Sequence, residues 1–273
     1  MKAAVNVSVV IPSYNSSATI ERAVKSVLNQ TVLPIEIIIV DDCSTDIIYK
    51  QVLMALEQRY KDIILIRILS LKVNSGPATA RNAGWDIACG KYVAFLDSDD
   101  AWHPQKLEIQ YEYMCSHEEI FLSSHAITVL KGGKEDEFFK NRYLGNNLKT
   151  IEMNPKEMLF KHFSDGTPCI MLKNSKRYRF KEGKRYAEDY LLWLSVLFEN
   201  KGVFIDCSLS AAYKDLYGTS GLSEDLWKLE KGELETFKIL MNEGYINSIM
   251  YYFVCCFSLI KYIRRLFITR LRF

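Results

Sequence analysis

The sequence lacks any regular arrangement of cysteines. Its 273 residues include seven cysteines, an odd number, and no two of them show the C-x-x-C spacing of zinc and redox sites. The cysteines therefore indicate neither a framework of disulfides nor a structural zinc site. We therefore expect reduced thiols, packed as small apolar side chains in a cytoplasmic protein.

The sequence also lacks an apolar segment long enough to cross a bilayer, which takes about 20 residues. The apolar run at the N-terminus is short, β-branched and followed at once by Pro12, unlike a signal peptide. Residues 245–260 carry no charge, but they number only 16. We therefore predict a cytoplasmic protein without a membrane span.

Net charge is low as well, at +2, but it is unevenly distributed. Residues 244–273 contain five basic and no acidic side chains, so residues 1–243 carry 30 basic and 33 acidic ones. A weakly acidic body without a basic stripe argues against nucleic-acid binding. The basic, aromatic-rich segment 245–273 predicts a helix on an anionic membrane surface, although packing on the domain or in a homodimer would suit the same pattern.

Strand and helix patterns alternate along the first hundred residues. The predicted strands cover residues 5–11, 35–40, 63–69 and 92–96. The predicted helices begin near residues 17, 48 and 80, the first with Ser16 or Ser17 as its cap. This alternation predicts an α/β fold with a mostly parallel sheet flanked by helices.

The remaining sequence is less regular. We predict helices at residues 106–116 and 188–199, strands at 120–130 and 169–173, a polar loop over 131–150, and a helix start at Asn154 and Pro155.

Acidic residues directly follow two of the predicted strands. Residues 40–46 read VDDCSTD, and residues 95–100 read FLDSDD. Because the carboxyl ends of parallel strands share one edge of the sheet, six carboxylates would meet there and repel one another. A divalent cation would relieve this repulsion, and oxygen ligands favour Mg²⁺ or Mn²⁺. The same residue types also cap helices and turns, which is the structural alternative.

Five segments follow one another within this region. They read VVIPSYN (9–15), SVLNQT (26–31), VDDCSTD (40–46), GPATARNAG (76–84) and FLDSDD (95–100). In this order they resemble the family 2 glycosyltransferases, which have the GT-A fold. The sequence departs from the family at Cys43, where glycine is the usual residue.

The resemblance implies that seven side chains contact a nucleotide-sugar donor: Pro12, Tyr14, Asn15, Asp42, Arg81, Asp97 and Ser98. Asp42 would accept a hydrogen bond from the imide N–H of uracil or thymine. Asp99 would bind the metal, Mn²⁺ or Mg²⁺. Arg81 would lie near Asp97 or the diphosphate, and a purely structural partnership with the acidic edge is an equal alternative.

A second acidic pair stands in the segment EDYLLW, residues 188–193. It resembles the family's acidic pair near the acceptor. Inverting transfer needs a base that takes the proton of the attacking hydroxyl, and the resemblance assigns this role to Asp189. Glu188 and Trp193 are the predicted acceptor contacts, and a core position is the alternative for Trp193 because it lies on the apolar face of a helix. The helix dipole alone also favours acids at this position.

We therefore expect a GT-A fold in which residues 1–115 bind the nucleotide-sugar and residues 116–223 bind the acceptor. Residues 224–273 would form an amphipathic helical extension. The expected reaction is metal-dependent, inverting transfer of a hexose or N-acetylhexosamine from a UDP-sugar. The expected acceptor is a saccharide or lipid-linked saccharide at the inner face of the cell membrane, as in O-antigen, capsule or exopolysaccharide synthesis.

Two other functions are compatible with such a sheet. A nucleotidyltransferase would carry a glycine-rich, basic loop after the first strand, and the sequence has PSYNSS there instead. A non-catalytic scaffold would be free to lose the acidic residues, yet Asp42, Asp97, Asp99 and Asp189 are all present.

Overall fold

The computed structural model describes residues 2–130, 134–143, 148–161, 166–214 and 225–270. Within these residues, nine strands form one sheet. The strands are β1 (Ala4–Ser13), β2 (Leu33–Asp41), β3 (Leu65–Ser70), β4 (Tyr92–Phe95), β5 (Ala101–Trp102), β6 (Ile120–Val129), β7 (Thr150–Glu152), β8 (Met171–Lys173) and β9 (Lys201–Ala212). The helices are α1 (Ile20–Leu28), α2 (Ile47–Tyr60), α3 (Pro77–Asp86), α4 (Lys106–Ser116), α5 (Glu135–Lys140), α6 (Pro155–Met158), α7 (Glu188–Glu199), α8 (Leu226–Asn242) and α9 (Ser248–Arg270).

The first half of the sheet is parallel. Its strands lie in the order β3-β2-β1-β4, so β1 separates the two strands that end in acidic clusters. Successive side chains of β1 and β2 point to opposite faces, and both faces are buried. This double burial explains why the strands read as continuous apolar runs instead of alternating with polar residues.

Two hydrophobic cores lie on the two faces of this sheet. On one face, Val9 and Ile37 belong to a core completed by α1, α2 and α4. On the other face, Val10 and Ile38 belong to a core completed by α3, α7 and α8. Helices on both faces are what right-handed crossovers between parallel strands produce.

The second half of the sheet is mixed. Strand β8 joins it antiparallel to β4, and β6 and β9 follow on the far side of β8. The segments on either side of residue 115 therefore share one continuous sheet. This arrangement lets loops from both segments meet above the same edge.

The predicted elements of the first hundred residues are confirmed, apart from one helix cap. Helix α1 begins at Ile20, and its N-cap residue Thr19 makes no side-chain capping hydrogen bond. The prediction that Ser16 or Ser17 caps this helix is wrong. The Ser16 hydroxyl instead lies 2.8 Å from the hydroxyl of Ser98, in the loop after β4.

The predicted loop over residues 131–150 is also corrected where the structure describes it, since residues 131–133 and 144–147 lie outside the described residues. Residues Glu135–Lys140 form α5, and Phe138 is buried against Leu130 and Ala211. The sequence does not predict this short helix, because its first turn is acidic and polar residues are also typical of loops. Downstream, the predicted strand at 169–173 is shorter, since Thr167–Cys169 form a 3-10 turn before β8.

Helices α8 and α9 form the C-terminal extension. The side chain of Arg265 on α9 donates to Glu230 on α8 at 2.8 Å, and Ser258 donates to Glu233 at 3.1 Å. Val254 is fully buried between the extension and the core. Among the described residues, no helix combines the length and apolarity needed to cross a bilayer.

We predict that Gly84→Ala destabilises the protein. A Cβ at Gly84 would lie 2.5 Å from Cγ1 of Val10 and 2.9 Å from Cγ2 of Val40, where α3 meets the sheet. Overpacking of this kind costs about 1–3 kcal/mol, which exceeds the gain in helix propensity of at most about 1 kcal/mol.

Urea denaturation is the measurement, and Thr79→Ala on the partly exposed side of α3 is the control. The control should change the free energy of unfolding by less than about 0.5 kcal/mol. A Gly84→Ala variant as stable as the wild type would contradict the close packing of α3 on β1 and β2.

Candidate active site

A cleft of about 730 Å³ opens at the carboxyl ends of β1, β2 and β4. Parallel sheets bind ligands at this edge. All predicted site residues except Trp193 line the cleft: Pro12, Tyr14, Asn15, Asp42, Arg81, Asp97, Ser98, Asp99, Glu188 and Asp189. The tertiary structure therefore brings together residues that are up to 177 positions apart in the sequence.

Asn15 joins the loop after β1 to the loop after β2. Its backbone has a left-handed φ of 49°, a conformation that asparagine tolerates better than most residues. Its backbone N–H donates to the Ser44 hydroxyl at 2.9 Å, and its side-chain oxygen accepts from the backbone N–H of Thr45 at 2.9 Å. These bonds fix the floor of the cleft next to Tyr14, whose ring is 47% exposed.

Cys43 adopts the conformation that a glycine would favour. Its φ is 59°, in the left-handed region where a side chain typically costs about 1–2 kcal/mol. The carboxylate of Asp41 accepts from the backbone N–H of Ser44 at 2.9 Å and supports the turn. The turn is therefore formed despite the departure from the family at this position.

The Asp42 carboxylate is buried and already engaged. One oxygen accepts from the backbone N–H of Ser75 and the other from that of Gly76, both at 2.8 Å. Each carboxylate oxygen can accept a second hydrogen bond, so Asp42 can also accept one from the N–H of a nucleotide base. The position of Asp42 is set by the loop before α3, which sequence reasoning did not reveal.

Only four of the six predicted carboxylates line the cleft: Asp42, Asp97, Asp99 and Asp100. The prediction that all six converge is corrected for Asp41 and Asp46. Asp41 holds the turn described above, and Asp46 caps α2 by accepting from the backbone N–H of Ile48 at 2.9 Å. These two side chains follow the structural alternative of capping.

Arg81 connects the two acidic motifs. It is 6% exposed, and its guanidinium lies 2.8 Å from the Asp97 carboxylate and 3.0 Å from the Glu188 carboxylate. Burial acts to lower the pKa of Arg81, but the charges of Asp97 and Glu188 prevail and raise it above its ordinary value. Arg81 thus remains a cation and acts as a structural partner of both carboxylates.

Asp99 has a cationic partner that the sequence did not indicate. The ammonium of Lys214, just after β9, lies 2.8 Å from the Asp99 carboxylate. The side chain of Arg22 donates to the backbone carbonyl of Asp99 at 2.5 Å and lies over the ring of Tyr213. Lys214 is 115 residues away from Asp99 in the chain, and no local pattern marks such a contact.

The residues around Asp99 fit a divalent ion that is shared with a substrate. Among the described residues, no group of three or more His, Cys, Asp or Glu side chains forms an all-protein metal site. Mg²⁺ sites commonly use one or two carboxylates together with substrate phosphates and water. Burial and the charges of Asp97 and Asp99 raise the pKa of Asp100 to about 8, a crowding that a cation would relieve.

Asp189 faces the cleft from the start of α7. Ala187, with a left-handed φ of 55°, turns the chain directly before the helix. One carboxylate oxygen of Asp189 accepts from the backbone N–H of Tyr190 at 2.7 Å, and the other accepts from the Thr167 hydroxyl at 3.2 Å. The carboxylate is therefore oriented from two sides, as a base needs to be.

Glu188 is more deeply buried than Asp189. Burial and the neighbouring Asp189 charge raise the pKa of Glu188 to about 7, and Arg81 acts in the opposite direction. Because its carboxylate faces Arg81 at 3.0 Å, Glu188 lines the cleft mainly as a partner of that cation.

The predicted acceptor contact of Trp193 is corrected. Its side chain is 2% exposed and does not line the cleft. The ring packs against Phe95 and Phe180 at centroid distances of 6.3 and 5.5 Å. The side chain therefore belongs to the hydrophobic core, where it cannot stack on a sugar in the cleft.

The chain is similar to known proteins over most of its length. The model of Glycosyl transferase family 2 matches residues 8–177. An uncharacterized glycosyltransferase of Rickettsia conorii is 34% identical over 246 residues, which cover 89% of this chain but only 38% of that protein. The UDP-Glc:α-D-GlcNAc-diphosphoundecaprenol β-1,3-glucosyltransferase WfgD of Escherichia coli is 31% identical over 201 residues, or 74% of this chain and 73% of WfgD.

A solved structure supports the same architecture. The crystal structure of S. aureus TarS 1–349 in complex with UDP-GlcNAc superimposes with a TM-score of 0.67 at 20% identity. The match covers 95% of this chain and 72% of that one. The expected GT-A fold, with helices following the sheet, is confirmed.

We predict that Arg81→Gln lowers the free energy of unfolding by about 3–5 kcal/mol, because it leaves two carboxylates without their cation in a largely buried site. Glu188→Gln, which keeps the Arg81–Asp97 pair, should cost less. The double variant should recover part of the loss, giving a coupling of at least about 1 kcal/mol in a double-mutant cycle measured in urea.

Lys140→Gln is the matched control. Its ion pair with Asp136 is 75% and 82% exposed at the two side chains, so its loss should change stability by less than about 0.5 kcal/mol. Additive effects of Arg81→Gln and Glu188→Gln would contradict the bridging role of Arg81.

Proposed function

The chain belongs to glycosyl transferase family 2 and is a glycosyltransferase, and on this premise we propose that it moves a sugar from a UDP-sugar to a hydroxyl of a saccharide acceptor. The observation that carries the proposal is the contact of Arg81 with both Asp97 and Glu188. It joins the acidic motif after β4 to the acidic pair on α7 within one cleft. A donor bound at the first motif and an acceptor bound at the second would therefore lie next to each other in the cleft.

We assign the donor site to loops of residues 1–115. Asp42, Asn15 and Tyr14 line one end of the cleft, where a uridine would lie. The donor named for WfgD is UDP-Glc, and the TarS complex contains UDP-GlcNAc. Both support a UDP-sugar carrying a hexose or N-acetylhexosamine.

Asp99, together with the donor diphosphate, would hold Mn²⁺ or Mg²⁺. Such an ion neutralises the charge that develops on the departing diphosphate. Lys214 is paired with the Asp99 carboxylate in the structure. When the metal binds Asp99, Lys214 would leave this carboxylate and turn toward the phosphates. Arg81 keeps the Asp97 carboxylate in place on the other side of the motif.

We assign the acceptor site to residues 116–223, with Asp189 as the general base. The acceptor oxygen forms a bond to the anomeric carbon while the bond from that carbon to the diphosphate oxygen breaks on the opposite face, which inverts the configuration. The proton of the acceptor hydroxyl passes to Asp189. Thr167 and the backbone N–H of Tyr190 hold this carboxylate toward the cleft.

We propose further that α9 lies on the inner face of the cell membrane. A row of large apolar side chains, each 51% to 82% exposed, follows one side of the helix: Ile249, Tyr252, Phe253, Ile260, Ile263 and Phe267. Arg264, which is also exposed, lies beside this row and suits anionic lipid. This placement supports a lipid-linked acceptor in cell-surface polysaccharide synthesis, the acceptor class named for WfgD.

The two alternative functions are less well supported. Family membership argues against a nucleotidyltransferase. A non-catalytic scaffold would not need the two hydrogen bonds that orient Asp189 into the cleft.

We predict metal-dependent release of UDP from one of the common UDP-sugars by the purified protein. The experiment screens nucleotide-sugars with Mn²⁺ or Mg²⁺ and with EDTA, and measures UDP release and thermal stabilisation. Asp189→Asn should lower turnover by a factor of about 10²–10⁴, because the base is lost while the donor site is intact. Its stabilisation by the UDP-sugar should match that of the wild type.

Thr150→Ala, on an exposed position of β7 away from the cleft, serves as the activity control. If no nucleotide-sugar stabilises the wild type in any metal condition, the scaffold becomes the better explanation. Full turnover by Asp189→Asn would mean that another group acts as the general base.

We predict that the protein sediments with vesicles containing phosphatidylglycerol, and that Ile260→Gln with Ile263→Gln weakens this binding about tenfold by removing apolar surface from the interface. Ile47→Gln with Ile48→Gln on α2 is the matched control, since these side chains are 82% and 62% exposed. A dimer that the α9 variant dissociates, without vesicle binding, would favour a second copy as the partner.

A further inference from the structure

One wall at the proposed acceptor end of the cleft is formed by residues that belong to none of the sequence motifs described above. Arg185 and Tyr186, just before the acidic pair, line the cleft together with Leu229 of α8. The C-terminal extension therefore takes part in the cleft directly. The contact is made by the first turn of α8, which contains Leu229.

This wall is rigidly built. The ammonium of Lys184 is 5% exposed and donates to the backbone carbonyl of Gly232 at 2.8 Å. A Cβ at Gly232 would lie 2.7 Å from the backbone carbonyl oxygen of Tyr186, so the segment 184–186 and α8 are in close contact. The position of Arg185 relative to α8 is fixed by these contacts.

The outer surface of the wall is basic. Arg185 is exposed, and no ion-pair partner for it is found in the described part of the chain. Lys228 on α8 pairs with Asp225 at 2.9 Å, and Lys231 lies one turn further along. The Asp225 carboxylate raises the pKa of Lys228, whereas the nearby positive charge of Arg185 acts in the opposite direction. Arg185 and Lys228 are thus close enough for their charges to interact, and the Asp225 carboxylate partly balances them.

An aromatic pair leads from this basic wall to α9. Trp227 is 45% exposed, and its ring centroid lies 5.5 Å from that of Tyr262 on α9. The ammonium of Lys231 lies over the same indole, 5.4 Å from its centroid. Tryptophan and tyrosine favour the boundary between lipid and water. The aromatic pair therefore joins the basic side chains of α8 to α9.

We propose that Arg185 and Lys228 bind the phosphate or diphosphate group of a lipid-linked acceptor, with Trp227 and Tyr262 beside the first part of its lipid chain. The inference rests on the proposed transfer to a lipid-linked saccharide. Arg185 is four residues before Asp189 in sequence and lines the same cleft, so an anion held there places the attached sugar next to the base. A guanidinium suits this role because it binds phosphate oxygens in pairs.

The test is calorimetric titration of geranyl diphosphate into the full chain saturated with UDP and Mg²⁺, so that the donor diphosphate position is already filled. Arg185→Ala and Lys228→Ala should each weaken binding by about tenfold, the effect of losing one charge-assisted hydrogen bond. Lys238→Ala, an exposed lysine further along α8, is the control and should bind like the wild type.

A further variant should strengthen binding. Asp225→Asn removes the carboxylate that competes for Lys228 and keeps a residue that can cap α8, as Asp225 does by accepting from the backbone N–H of Lys228 at 3.0 Å. We expect about a twofold increase in affinity, since surface pairs contribute little. A purely structural effect of these substitutions would not produce a gain.

Three results would overturn the inference. These are no binding of geranyl diphosphate to the UDP-loaded wild type, unchanged binding by both alanine variants, or binding of inorganic pyrophosphate as tight as that of geranyl diphosphate. The last result would identify a site for free anions, and geraniol alone should not bind. Failure of UDP itself to bind would count against the proposed donor instead, and the same titration without UDP would still compare the variants.

Discussion

The contact of Arg81 with Asp97 and Glu188 is the interaction on which the cleft depends. Its three charged groups come from α3, from the loop after β4 and from α7, so it ties together three elements that approach the sheet edge from different directions. A buried guanidinium is stable only when carboxylates surround it, and buried carboxylates need the cation in return. The contact therefore links the packing of α3 and of the loop after β4 to the packing of α7.

A second constraint is the density of negative charge at the same edge. Asp97, Asp99 and Asp100 lie next to one another, and the structure balances them with Arg81 and Lys214 and with a raised pKa at Asp100. This balance is local to one side of the cleft. The partner of the Asp99 carboxylate can be exchanged for another cation, because its present partner, Lys214, is a long and largely exposed side chain.

The C-terminal helices combine two roles in one extension. Helix α8 lines one end of the cleft through Leu229 and contacts the segment before Asp189 through Gly232. Helix α9 is held on α8 by Arg265 and presents its apolar row outward. The surface proposed to meet lipid and the proposed base are consequently parts of one continuous packed structure, which suits an acceptor that is anchored in a membrane.

The pattern of apolar residues determined the alternation of strands and helices up to β4. Strands that are buried on both faces of a parallel sheet are continuous apolar runs, which can be identified in the sequence. The same pattern also determined which acidic residues follow β2 and β4. The tertiary structure decided which of them face the cleft, since Asp41 and Asp46 hold a turn and a helix end instead. Packing against Phe95 and Phe180 likewise buried Trp193. The pairing of Lys214 with Asp99 and the wall formed by Arg185 and α8 were likewise decided in three dimensions, since their partners are distant in sequence and long-range contacts between charged side chains leave no periodic pattern.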